Sequence, residues 1–109
     1  MIKRALMTGL VGLAALGLSI LASSCGPVES THVILKADTA LHNAKTAGAA
    51  SSQDPVAIYH FTAAEQYIHK AREEWGRSDF EYSVDFARKA LEHADAARDK
   101  AMAAKHDED

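Results

Sequence analysis

Residues 54–81, DPVAIYHFTAAEQYIHKAREEWGRSDFE, decide the fold of this chain. Asp54-Pro55 opens a helix, with an acidic N-cap followed by proline at the first helical position, where its missing N–H costs nothing. Ala57, Phe61, Ala64, Ile68, Ala71 and Trp75 then recur at alternating spacings of four and three, the mark of one buried helical face. Gly76 predicts a left-handed C-terminal cap. Ser78 and Glu81 match a capping box, in which each side chain satisfies a backbone N–H at the start of the next helix. A connection this short makes the two helices antiparallel, so the stretch predicts a helical hairpin.

Working outward, the following helix carries Phe80, Val84, Ala87, Leu91, Ala94 and Ala101 on one face, with Ala97 taking over where Arg98 breaks the series. Upstream, Ile34, Ala37, Leu41, Ala44 and Gly48 form a third stripe, for which Ser30 or Thr31 is the expected cap. The expectation is an all-α domain over 31–104, an antiparallel hairpin packed with a shorter N-terminal helix in a three-helix bundle. Its helices lie at about 31–48, 55–75 and 79–104, ahead of a polar tail at 105–109. The expected large core residues are Ile34, Leu41, Phe61, Ile68, Trp75, Phe80, Val84 and Leu91. So modest a core predicts marginal stability, and with it self-association or a protein partner.

The first 24 residues read differently. Lys3-Arg4 gives a basic start, no charge follows from Ala5 to Ala22, and the run closes on small residues before Cys25. This is the n-region and h-region of an export signal. An uncleaved membrane helix needs about 18 apolar residues and is the alternative reading, as is an ordinary cleaved signal that leaves Cys25 free. Residues 25–30 are then a tether between Cys25 and the helices. Cys25 is the single cysteine, so no intramolecular disulfide can form and anchoring is its simplest use.

Charge narrows the partners. Lys3 and Arg4 supply two of the twelve basic residues, so the 85 residues from Cys25 carry ten bases against fifteen acids. An acidic surface of this kind excludes nucleic acid as an expected partner. No reaction chemistry is evident, and no catalytic, cofactor-binding or metal-ligating residue is assigned. The serines sit in caps and linkers, and the adjacent Glu73 and Glu74 diverge on a helix instead of converging on one bond. Glu65, His69 and Glu73 share a helix face with Lys70 and Arg72, which reads as solvated surface more readily than as a metal site. His60 flanks the buried stripe as a partly buried packing residue. Tyr59, Tyr82 and Phe86 fall outside the stripes and are candidate partner-surface residues, although Tyr82 and Phe86 could equally pack on the first helix.

Three resemblances add to this reading. Leu21-Ala22-Ser23-Ser24-Cys25 resembles the lipobox of bacterial lipoproteins, with Ala22 where that family prefers leucine. It implies a diacylglyceryl group, and further acylation, on Cys25. Gly26 in place of aspartate after the cysteine implies the outer membrane of a Gram-negative bacterium, facing the periplasm. Asp79-Phe80-Glu81-Tyr82-Ser83 through Ala90-Leu91-Glu92 is similar to half of a tetratricopeptide repeat, with Ser83 where alanine is usual and no second copy. Residues 33–104, through Ala44, Ala47, Gly48, Pro55, Ala64, Ala71, the Ser78-Asp79-Phe80 turn, Ala87, Ala90, Ala94 and Ala97, resemble the domain of unknown function 4398 family. Its members are small helical lipoproteins or precede an OmpA-type peptidoglycan-binding module; no such module follows here, so peptidoglycan contact has no motif behind it. The resulting expectation is a non-enzymatic, lipid-anchored scaffold. The alternatives are an alanine-zipper oligomeric lipoprotein and a periplasmic metal or small-ligand carrier.

Overall fold

The computed structural model describes residues 26–108, and the stretch expected to be an export signal and Cys25 lie outside them. Three helices make up the described chain: α1 over 26–46, α2 over Pro55–Gly76 and α3 over Phe80–Glu108. A short 3-10 turn, Ala49–Ser51, separates the first two. This is the expected all-α three-helix bundle, with α2 antiparallel to α3.

Shared clusters set the register. Ala44, Phe61 and Ala97 pack in one, Ala40 with Ala64 and Ala94 in the next, then Ala37 with Ile68 and Ala90, then Ile34 with Ala71 and Val84. In that order the positions on α1 and α3 fall together while those on α2 rise, so α1 and α3 run parallel and α2 runs against both. Within each helix the steps are threes and fours, so one seam per helix faces the common axis. Twelve of the seventeen buried apolar residues are alanines. With so little side chain between them, the helices can pack near the close end of the usual ~8–10 Å axial separation.

Both ends of α2 have a local cause. Asp54 caps it as the Asp-Pro pair predicts, its Oδ1 accepting from Val56 N at 2.9 Å. At the far end, Asp79 N donates to Glu74 O at 2.9 Å and Ser78 N to Trp75 O at 3.0 Å, the paired bonds of a Schellman motif. The residue in the left-handed region is Ser78, with φ of 61°, and not Gly76 as expected. Ser78 is thus the closing residue of α2, two positions ahead of α3, and no capping box with Glu81 forms. Asp79 takes over the start of α3, its carbonyl accepting from Ser83 N at 3.0 Å. Gly48 closes α1, and there the left-handed φ of 86° falls on the residue that adopts it without steric cost.

Other boundaries also move. The expected tether at 26–30 is already helical, so neither Ser30 nor Thr31 is a cap. Ser30 is instead fully buried. The expected polar tail continues α3 to Glu108, with Lys105 in the last turn, where a cation complements the helix dipole. On α3 the buried seam runs through Ser83, Val84, Ala87, Ala90, Ala94, Ala97 and Ala101, leaving Phe80 and Leu91 half-buried at its edge. Leu41 is half-buried as well, and Trp75 is 44% exposed because it sits beyond the last packed layer.

Candidate functional site

Three features of the bundle could meet another molecule or fix the helices for such a meeting. The first is a polar chain inside the core. Ser30 Oγ donates to Ser83 Oγ at 2.6 Å, and Ser83 Oγ donates to Ala71 O at 2.8 Å. One residue from each helix is therefore tied at a single level, and both hydroxyls are fully buried. Alanines recur in every layer, so a satisfied polar contact at one level adds to Phe61, Ile68 and Ile34 in marking the register against a one-heptad slip. Glu29 to Arg88 and Asp38 to Arg72 add surface ion pairs from α1 to α3 and to α2.

The second feature is a row of rings along the α2–α3 seam. Tyr67 stacks on His93 at 5.4 Å between centroids and on Phe86 at 6.2 Å. His60 and His93 approach Nδ1 to Nδ1 at 2.9 Å, so one ring donates its N–H to the lone pair of the other. Tyr59 meets both imidazoles edge-on, and Lys89 Nζ lies 5.8 Å from the Tyr67 centroid and 5.6 Å from that of Phe86. His60 is half-buried, as its place beside the stripe implies, but its partner is another histidine. That pairing is invisible without the register of the hairpin: His93 flanks Ala94 on α3 as His60 flanks Phe61 on α2. Glu65, His69 and Glu73 all lie exposed, Glu73 pairing with Lys70 and Arg77. Among the described residues, no three or more potential ligands gather around a common point.

The third feature is exposed apolar surface. Tyr59 is 62% exposed, Tyr82 58% and Val28 68%. The three candidate partner residues do not form one patch. Tyr59 lies beside His93, eleven residues along α3 from Tyr82, which at the helical rise is about 16 Å. Phe86, between them, is half-buried against Tyr67 and the Val33–Val84 cluster, so most of its ring serves the bundle itself. Trp75 joins the exposed set, edge-on to Phe80 at 6.2 Å. Sequence periodicity assigned Trp75 to the core because it continues the stripe; only the end of the bundle shows that no described residue covers it. No helix among the described residues is long and apolar enough to cross a membrane.

Compared with protein-family models, curated proteins and solved structures, the chain gives no match.

Proposed function

We propose that this chain is a non-enzymatic lipoprotein of the Gram-negative envelope, held by lipid on Cys25 at the periplasmic face of the outer membrane and acting as a helical scaffold. The observation that carries the reading is a junction: a basic and then apolar leader ending in Leu21-Ala22-Ser23-Ser24-Cys25 abuts a helix already packed at Gly26. An export-type segment thus lies on one side of Cys25 and a folded unit on the other, as expected where a leader is removed at the cysteine. Two or more acyl chains on one residue would hold so small a domain stably. The likeness to the domain of unknown function 4398 family points the same way. The scaffold role rests on the exposed rings of α2 and α3, whose neighbours are spent on packing: the buried serines bond each other, and the two imidazoles bond each other. The alanine seams close on one another inside a single chain, which favours a monomeric bundle over an alanine-zipper oligomer.

Intact mass spectrometry of the protein from native membranes, beside a Cys25→Ser variant, tests the anchor. A mass beginning at Cys25 plus acyl chains, lost in the variant, is the expected result. A mass retaining Met1, or lacking lipid, would refute the reading. Photo-crosslinkers at Tyr59 and Tyr82 then test the scaffold role, with a discrete adduct expected.

A further inference from the structure

If Cys25 is acylated, the membrane lies close to one particular end of the bundle. Consecutive Cα atoms are never more than about 3.8 Å apart, so an acylated Cys25 stands within about 4 Å of Gly26. That end is built from the first turn of α1, the last of α2 and the first of α3. Gly26 lies against Phe80, whose Cβ is 3.4 Å from where a Gly26 side chain would begin, and Phe80 meets Trp75 edge-on. Trp75, Tyr82 and Val28 are exposed there, with no further layer of the bundle covering them among the described residues. Trp and Tyr are the side chains that concentrate at the headgroup level of bilayers, the ring body apolar and the N–H or O–H wet.

We propose that this end of the bundle seats in the headgroup layer of the same bilayer that holds the Cys25 lipid, with Trp75, Tyr82 and Val28 in contact with lipid and the helices standing away from the surface. The inference rests on the lipoprotein reading above. The charge pattern specifies the surface: Glu29, Asp79 and Glu81 outnumber Arg77 and Arg88 at this end, so the seat suits zwitterionic headgroups and draws on ring contacts more than on charge. The orientation follows from the same geometry. Met102, exposed near the other end, is twenty residues along α3 from Tyr82, about 30 Å at the helical rise, and stays clear of lipid.

Trp75 is the only tryptophan, so the full-length protein reports on itself. The acylated chain is reconstituted in phosphatidylcholine vesicles, plain or brominated near the headgroup end of the acyl chains, and its fluorescence is compared between them. A Trp75→Phe, Met102→Trp double variant, altered only at exposed positions, moves the reporter to the far end. The expected result is quenching of Trp75 on the order of two-fold with a blue-shifted emission, and no quenching of tryptophan at 102. Acylated protein whose Trp75 is not quenched would overturn the seat while leaving the anchor intact. Quenching at both positions would mean that the bundle lies flat, and would overturn the orientation. A sample whose mass shows no lipid on Cys25 would remove the anchor and the seat together.

Discussion

Replacing Ser83 with alanine removes a side chain that accepts from Ser30 Oγ at 2.6 Å and donates to Ala71 O at 2.8 Å, with no solvent access to either hydroxyl. The carbonyl of Ala71 keeps its place in the α2 ladder, but the Ser30 hydroxyl is left in the core without its acceptor. An orphaned buried donor costs about 1–3 kcal/mol, and because Ser30 can swing back to the carbonyl four residues earlier, the lower half of that range applies to Ser83→Ala. Ser30→Ala should cost less, about 0.5–1 kcal/mol, since Ser83 still donates to Ala71 O. The double variant turns the level into one more alanine layer with no polar atom to satisfy, and should lie within about 0.5 kcal/mol of the parent. The signature is therefore non-additivity, with the second substitution repairing the first. Urea unfolding followed by far-UV circular dichroism reads it directly: with a slope near ~1 kcal/mol per molar, the Ser83→Ala midpoint falls by about 1 M and returns in the double variant. A Ser83→Ala protein as stable as the parent, or a double variant that loses the sum of both singles, would refute the buried chain as described.

Ser78→Gly relieves a left-handed backbone that costs a non-glycine residue about 1 kcal/mol, so the melting temperature should rise; an unchanged or lower value would show that the turn does not need that conformation. Ile68→Ala removes one of the few large side chains in an alanine seam and should cost about 2–4 kcal/mol, enough to leave a domain this small partly unfolded at room temperature by circular dichroism. A double-mutant cycle on His60→Ala and His93→Ala should return a coupling of about 0.5–1 kcal/mol in urea unfolding, and a coupling of zero would mean that the two rings do not bond.

The number of helices, the antiparallel hairpin and the start of α2 were legible because each has a local cause: threes and fours in the apolar spacing, and Asp54-Pro55 at a helix start. The first boundary was not, because Gly26 and Pro27 argue against helix by propensity while contact of Gly26 with Phe80 argues for it, and propensity is all that a sequence displays. On α3 Val84, Ala87, Ala94, Ala97 and Ala101 are buried as expected, but Phe80 and Leu91 sit at the edge of the seam while Ser83 and Ala90 fill it. Periodicity gives weight to Phe80 and Leu91, whereas helices that approach closely turn their smallest residues inward, here Ser83 and Ala90. Gly76 was the natural left-handed residue by composition, yet the hydrogen bonds place that conformation on Ser78. The exposed tyrosines were visible as residues outside the stripes. The His60 to His93 contact and the stacking of Tyr67 between His93 and Phe86 were not, since both depend on which residue of α3 stands opposite which residue of α2.

A core made mainly of alanine also changes what mutation does to this protein. In most domains an interior substitution leaves a hole, and neighbours relax toward it. Here the side chains at Ala37, Ala64, Ala90 and Ala94 are already nearly as small as side chains come, so almost every replacement acts as a wedge that drives helices apart along their length. Drift in such a sequence is one-sided: the seam resists almost any enlargement, while the outer faces, where partners would be met, remain free to change.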